Sequence, residues 1–173
     1  MTSDQLKTLL SACSAVQSEI DRAGCGAVSE ESSAITLYDR LITHSLIRKT
    51  TRDLFNDGYY ALAVEQCFKC VNNEVKSRSG SDQDGAALMQ HALSLAAPRI
   101  KLNPLETKSE RDEQLGYMQI LSGCMIGVRN PRAHEHDYLD EPVRALELIA
   151  LGQHLLQKVD AAACAPLQPL SRK

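Results

Sequence analysis

Apolar side chains recur at intervals of three and four residues between positions 60 and 75 of this chain. The set comprises Tyr60, Val64, Cys67, Phe68, Val71 and Val75. This spacing places the set on one side of an α-helix, whereas a half-buried strand would alternate with a period of two. A helix with such an apolar face must bury it against other helices, so the segment predicts a helical bundle.

The flanking segments repeat this periodicity. Residues 35 to about 55 predict a helix that stops in the sequence NDG, where Gly58 suits a left-handed C-terminal cap. Residues 86–97 predict a shorter helix after a polar loop at 77–85. Residues 98–107 contain two prolines and predict an extended connection rather than a strand.

Two long helices follow. Ser109 and Asp112 mark the start of a helix that runs to Val128, and its few charges predict that it is the most buried one. A last helix runs to about Ala162 and turns inward an apolar face that comprises Val143, Leu146, Ile149, Ala150, Leu156 and Val159. With no tryptophan and only 4% aromatic residues, the core must consist mainly of aliphatic side chains. The sequence therefore predicts an all-α bundle of about five to seven helices.

The first residues predict a separate N-terminal helical arm. Residues 2–22 carry an apolar stripe at helical spacing that includes Leu6, Leu9, Leu10, Cys13, Val16 and Ile20. Residues 23–34, rich in glycine and serine, predict a linker. We therefore divide the chain into an arm with its linker at 1–34, a helical domain at 35–163 and a tail at 164–173. The stripe suits docking on its own domain and docking on a second copy equally well.

The charge, the hydropathy and the cysteines limit the partners and the cellular compartment that the sequence predicts. A net charge of −3 excludes a broad cationic surface of the kind that binds nucleic acid non-specifically, so any RNA site must be local. No run reaches the roughly 18 apolar residues of a membrane span, and the N-terminus lacks the features of a signal peptide, which predicts a cytoplasmic protein with no membrane partner. The six cysteines are then expected to be free thiols. Cys67 and Cys70 form a lone CxxC, which favours packing over a metal or redox site.

The polar block RNPRAHEH at residues 129–136 follows an apolar helix and carries the main functional signal. Pro131 disfavours helical geometry at Asn130, so the helix is expected to kink or restart there, and a kink can bring Arg129 and His134 toward one cleft. Histidine can transfer protons near neutral pH, and arginine can stabilise the charge that develops on a phosphate. The pair therefore fits cleavage of RNA, whose 2′-hydroxyl supplies the nucleophile, with no metal or cofactor.

Two other interpretations of the block stay open. Arginine and proline are common at helix ends, so the block can be a helix terminus with no further role. His134 and His136, with Asp137 and Asp140, are conceivable metal ligands, but no further ligand spacing supports a defined site and we predict no metal. The single histidines at positions 44, 91 and 154 receive no role.

The chain resembles the Ymh family of bacterial and phage-associated proteins, a branch of the HEPN superfamily. Three segments carry the resemblance, namely LFNDGYYALAVEQCFKCVNNEV, DGAALMQHALS and ERDEQLGYMQILSGCMIGVRNPRAHE, and it covers roughly residues 44–162. The HEPN signature is an arginine, usually followed by a polar residue, with a histidine after four to six intervening positions. Arg129, Asn130 and His134 fit this signature with four residues between the arginine and the histidine.

The resemblance implies a helical bundle, commonly a two-fold homodimer, and metal-independent endoribonuclease activity used in toxin–antitoxin, abortive-infection or CRISPR-linked defence. His134 is then the general acid/base, Arg129 stabilises the phosphorane, and Asn130 orients the phosphate or the histidine. Arg132 is expected to be an auxiliary phosphate contact and His136 a neighbour that shapes the substrate cleft. Because one chain offers one such histidine, we expect a composite site with His134 from two chains. The alternative is a catalytically inactive HEPN domain that binds RNA or a protein such as an antitoxin.

Overall fold

The computed structural model describes residues 30–134 and 138–164, and these form six continuous helical segments, which confirms the predicted all-α class. The segments are α1 (Glu30–Leu41), α2 (Ser45–Asn56), α3 (Tyr60–Ser79), α4 (Gly85–Ala92), α5 (Lys108–Cys124), which continues through a π-helical turn (Met125–Arg129) into α6 (Asn130–His134), and α7 (Pro142–Asp160). None of the helices described is long and apolar enough to cross a membrane. The predicted arm at 2–22 and the tail from 165 lie outside the described residues, and the division into domains stays a prediction.

Helix α3 is the most buried helix. It carries the apolar stripe and packs against α2, α4 and α7, and its stripe residues from Val64 to Val75 are fully buried. Gly152 of α7 faces it so closely that a Cβ there would clash with the Sγ of Cys67. The prediction that the helix ending near Val128 is the most buried one is therefore wrong. Helix α5 buries one side only, through Gln114, Leu121, Ser122 and Cys124.

The chain breaks between α1 and α2, where the sequence predicts one helix. Gln153 of α7 explains the break, because its Oε1 accepts hydrogen bonds from the N–H groups of Thr43 and His44 at 2.7 and 2.8 Å. Its Nε2 donates to the carbonyl of Leu41 at 3.0 Å. A distant side chain thus satisfies backbone groups that the break exposes. Helix α1 also begins inside the predicted linker, since it continues a buried face formed by Ala34, Tyr38 and Ile42.

The connection from α4 to α5 contains a short strand that the sequence did not predict. Strand β1 (Ile100–Lys101) pairs antiparallel with β2 (Ala163–Cys164), which follows α7. The buried side chain of Gln114 on α5 donates to the carbonyls of Leu93 and Ile100 at 3.0 and 2.9 Å. These bonds hold the connection against α5.

Two helix starts differ from the sequence prediction. Thr107 caps α5 by accepting a hydrogen bond from the N–H of Glu110, whose carboxylate accepts one from the N–H of Thr107. The predicted start at Ser109 is therefore wrong by two positions, since the capping box lies earlier. At α7, Val143 is 59% exposed, against the prediction that it faces inward, because the first turn of α7 extends beyond the core.

Candidate functional site

A π-helical turn precedes the polar block. The N–H of Asn130 bonds to the carbonyl of Met125, five residues earlier, instead of the residue four earlier. In a regular α-helix the ring of Pro131 would clash with the carbonyl four residues before it. The wider turn relieves this conflict, and Asn130 keeps helical angles of φ −62° and ψ −43°. The sequence predicts that the helix kinks or restarts at Asn130, and the structure changes there from the π-helical turn, which ends at Arg129, to an α-helix that continues to His134.

Helical geometry sets the directions of the side chains in the block. Successive helical residues are about 100° apart, so Arg129, Asn130 and His134 lie within an arc of about 140°. His134 is exposed, and the other two are partly exposed. Arg132 lies on the inward side and is buried. Of the three predicted catalytic residues, His134 is therefore the exposed one, and Arg129 and Asn130 are partly covered.

Arg129 is held at the start of α4 by Asp84. Its Nη1 lies 3.4 Å from the Oδ2 of Asp84, and 20% of its side chain is exposed. The Nδ2 of Asn72 donates to the Oδ1 of Asp84 at 2.5 Å, and the Oδ1 of Asn72 accepts from the N–H of Gly85 at 2.9 Å. Gly85 has a φ of +59°, which glycine adopts without strain. Helix α3, the start of α4 and the π-helical turn therefore meet at the Arg129 guanidinium.

The contact with Arg129 also bears on the pKa of Asp84. Partial burial raises the pKa of Asp84, but the hydrogen bond from Asn72 and the charge of Arg129 together bring that pKa below its usual range. The Nε of Arg129 is buried and makes no hydrogen bond to the described residues. Asn72 and Asp84 were not predicted from the sequence. The signal for Asp84 is the Asp–Gly pair at 84–85, in a segment assigned to a surface loop.

Arg132 forms a buried ion pair with Asp140. Its Nε and Nη2 donate to the two carboxylate oxygens at 2.6 and 2.7 Å, and its Nη1 donates to the carbonyl of Val128 at 2.7 Å. The guanidinium also lies 4.7 Å from the ring centroid of Tyr138. Only 2% of the Arg132 side chain is exposed. Arg132 therefore anchors residues 138–140, and this environment does not favour the phosphate contact predicted for it.

The remaining predictions concern His134, His136, a possible metal site and the CxxC pair. His134 makes no hydrogen bond to the described residues, and His136 lies outside them. No group of three metal-ligating side chains occurs in the part of the chain that the structure describes. Cys67 and Cys70 are buried free thiols, and burial raises the pKa of the Cys67 thiol. This supports the packing role predicted for the CxxC pair.

The side of α5 and the π-helical turn that faces away from the core carries few side-chain atoms. Gly123 and Gly127 are exposed there, Gly116 is half-buried, and apart from the adjoining backbone of its own helix a Cβ on any of the three would meet no described atom within 4 Å. Ile120 and Ile126 beside them are 46% and 59% exposed. We call these five residues the open face. The open face lies on the same continuous helical segment as the polar block.

The fold and the site define an all-α bundle in which the continuous helical segment from α5 to α6 ends in a block with a partly exposed arginine and an exposed histidine. The chain belongs to the Ymh family, because the family model, described as a protein of unknown function (Hypoth_ymh), matches residues 42–159, more than half of the 173 residues. The family recognised from the three sequence segments is therefore confirmed. Neither a curated protein nor a solved structure matches the chain significantly.

Proposed function

We propose that this Ymh-family protein is a metal-independent endoribonuclease of the HEPN type, with an active site formed between two copies of the chain. The observation that carries the proposal is the spacing of Arg129, Asn130 and His134, which matches the HEPN signature, together with the exposure of His134. Arg132, in contrast, is used inside the protein. A helix end would be complete with that buried pair and needs neither a second arginine nor an exposed histidine.

RNA brings its own nucleophile, so the protein needs to move protons and stabilise charge. One His134 takes the proton of the 2′-hydroxyl, whose oxygen attacks the adjacent phosphorus, and a second His134 gives a proton to the leaving 5′-oxygen. The products are a 2′,3′-cyclic phosphate and a 5′-hydroxyl end. Arg129 stabilises the negative charge on the phosphorane oxygens, and Asn130 orients the phosphate or the histidine.

The reaction requires two chains because one chain presents a single His134, and its direction differs from that of Arg129 by about 140°. A two-fold axis beside α6 places the His134 of one copy opposite the Arg129 of the other. The two guanidiniums then share one groove. The Asp84 of each chain, 3.4 Å from its Arg129, reduces their repulsion.

The open face supports contact with a second copy. Glycine inside an exposed helix costs about 1 kcal/mol relative to alanine, and no described neighbour requires Gly123 or Gly127. Glycines let two helix backbones approach closely, and Ile120 and Ile126 supply apolar surface around them. The predicted N-terminal arm is the competing occupant of this face. If a shortened chain that starts at residue 30 keeps the mass of a dimer, the arm is excluded as the occupant of the open face.

Incubation of the full chain with 5′-labelled single-stranded RNA in EDTA tests the activity. We expect wild type to produce cyclic phosphate ends and His134→Ala to cut about a hundredfold less or worse. His91→Ala, which changes an exposed histidine on α4, is the matched control and should keep full activity. RNA that wild type retains but does not cut supports the inactive binding module instead. If the protein neither cuts RNA nor retains it at low salt, both functions are contradicted.

A toxin–antitoxin or anti-phage role is the biological setting that we propose, because the HEPN resemblance implies it. An antitoxin or defence partner would then mask the groove between the two polar blocks. Expression of the chain alone should arrest bacterial growth, and expression of His134→Ala should not. Normal growth of cells that contain active enzyme would contradict the toxin role while leaving the nuclease activity intact.

A further inference from the structure

A cavity of about 230 Å³ opens beside the polar block, between the first turn of α3 and residues 138–140. Its walls include Tyr59, Tyr60 and Tyr138, three of the five tyrosines in a chain that is only 4% aromatic. Arg132 also lines it, so the cavity shares helix α6 with His134. The cleavage reaction proposed for the polar block uses none of these tyrosines.

We propose that this cavity binds one nucleobase of single-stranded RNA and selects bases that carry an amino group. The inference rests on the proposed endoribonuclease function and names the part of the substrate that the cavity recognises. Proteins read single-stranded RNA by stacking its bases on aromatic rings and by hydrogen bonds to the base edges. The cavity offers both kinds of contact.

Tyr59 supplies an accessible ring for stacking. It immediately precedes α3, lines the cavity and is 62% exposed. Tyr138 lines the cavity from the segment that follows α6, and the Arg132 guanidinium 4.7 Å from its centroid limits its movement. A base can therefore stack on Tyr59 without displacing a core side chain.

Glu65 supplies the selection by hydrogen bonding. Only 8% of this residue is exposed, it lines the cavity, and Lys69 contacts its Oε1 at 2.7 Å. A lysine-paired carboxylate only accepts hydrogen bonds, so it suits the amino group of cytosine or adenine. Uracil presents a carbonyl oxygen where cytosine has its amino group, and two acceptors repel each other. The cavity is therefore expected to disfavour uracil.

The wall chemistry favours a base over an apolar side chain from a protein partner. Leu62 and Leu139, which are 40% and 90% exposed at the cavity, would suit either ligand. Glu65, Arg132 and Asp140, however, also line it. An apolar side chain would cover Glu65 without offering it a hydrogen bond, and a base amino group avoids that loss.

Calorimetric titration of the full-length chain with two 2′-O-methyl RNA hexamers, one of cytidine and one of uridine, tests the proposal. The methyl group blocks cleavage, so the experiment measures binding alone. We expect the cytidine hexamer to bind about tenfold more tightly than the uridine hexamer. Tyr59→Ala should weaken binding of both about tenfold, and Tyr59→Phe should preserve it.

Glu65→Gln is the sharper variant, because an amide can donate to the uracil carbonyl as well as accept from the cytosine amino group. It should bring the two affinities to within about twofold of each other. Glu74→Gln makes the same change farther along α3 and should alter neither affinity. Equal affinities in wild type, or a cytidine preference that survives Glu65→Gln, overturn the proposal.

The outcomes separate this inference from the proposed function. RNA cleavage that depends on His134 but ignores Tyr59→Ala and Glu65→Gln leaves the endoribonuclease standing and removes the base site. A base preference that depends on Tyr59 and Glu65 without any cleavage keeps the base site and removes the endoribonuclease. Failure to bind either hexamer contradicts the base site, and the cleavage assay alone then decides the endoribonuclease.

Discussion

Two sets of glycines in this bundle have opposite surroundings. Gly152 of α7 faces α3, where an added Cβ would clash with the Sγ of Cys67 and lie 3.6 Å from the ring of Phe68. Gly123 and Gly127, on the open face, have no described atom within 4 Å of the same position apart from the adjoining backbone of their own helix. In the first region the packing of the chain itself requires glycine. In the second region no described neighbour requires glycine, and the proposed second copy would supply the missing contact.

Helix α6 repeats this contrast within one turn. Arg132 turns inward and donates to Asp140 and to the carbonyl of Val128. His134, two positions later, is exposed. Proximity in the sequence suggests one common role for these residues, but burial separates an arginine that holds the fold from the exposed histidine for which we propose a catalytic role.

The largest effect is expected when the inward side of α6 is broken. Asp140→Ala leaves the Arg132 guanidinium buried without its partner, so the free energy of unfolding should fall by about 3–5 kcal/mol. Urea denaturation measures this loss. Glu141→Ala, at the exposed neighbouring position, should change it by less than about 0.5 kcal/mol. Similar small losses in both variants would show that α6 has no distinct inward side.

At the predicted catalytic residues Arg129 and His134 the expected effect is on activity and not on stability. Arg129→Ala and His134→Ala should each lower RNA cleavage by about two orders of magnitude or more, the scale of losing a charge stabiliser or a general acid/base. His134→Ala should keep the free energy of unfolding within about 0.5 kcal/mol, because the side chain is exposed. Cys67→Ser, inside the bundle, should retain activity. Single-turnover cleavage assays and urea denaturation separate the two effects, and a His134→Ala protein that cuts RNA normally removes the catalytic role.

Matched alanine substitutions test the glycine comparison itself. Gly152→Ala should lower the free energy of unfolding by about 1–3 kcal/mol, because it overpacks the contact with Cys67. Gly123→Ala should leave the dilute monomer as stable as wild type or up to about 1 kcal/mol more stable, since alanine favours helix. The same change should weaken the dimer in sedimentation experiments. Equal destabilisation at both positions would mean that the open face is packed by the chain itself.

The smallest effect is expected at Asp84, beside Arg129. Its pKa is lowered in the folded state, so its carboxylate stabilises the fold above pH 3.8, the ordinary value, and this contribution disappears as the pH falls through the folded pKa. Because 55% of the side chain is exposed, screening limits the contribution to under about 1 kcal/mol. Asp84→Asn should therefore be slightly less stable than wild type at neutral pH. Denaturation curves should converge on acidification, and a difference that grew instead would show that the pair does not stabilise the fold.

The sequence predicts α3 and the all-α class because burial on one side of a helix leaves a local periodic pattern. The break between α1 and α2 leaves no such pattern, since Gln153 stabilises it from 110 positions away along the chain. The capping box at Thr107 competes with a similar sequence signal at Ser109, and only the structure distinguishes them. Local patterns therefore identify helices more reliably than their ends.

The candidate site is predictable only in part. Arg129, Asn130 and His134 follow from a short motif and a family resemblance. The separate role of Arg132 depends on its contact with Asp140, and the partner of Arg129 is a residue 45 positions away. The open face is not predictable either, because a glycine in the sequence looks the same whether or not a neighbouring side chain packs against it.

Mixing active and inactive chains tests the shared active site most directly. His134→Ala chains are added in roughly ninefold excess to wild type and allowed to exchange subunits, which two different affinity tags verify. If both histidines of a dimer are needed, most wild-type chains acquire an inactive partner, and cleavage per wild-type chain should fall to about one tenth. Unchanged cleavage per wild-type chain after complete exchange would show that a single chain holds the whole site, which contradicts an active site shared between two copies.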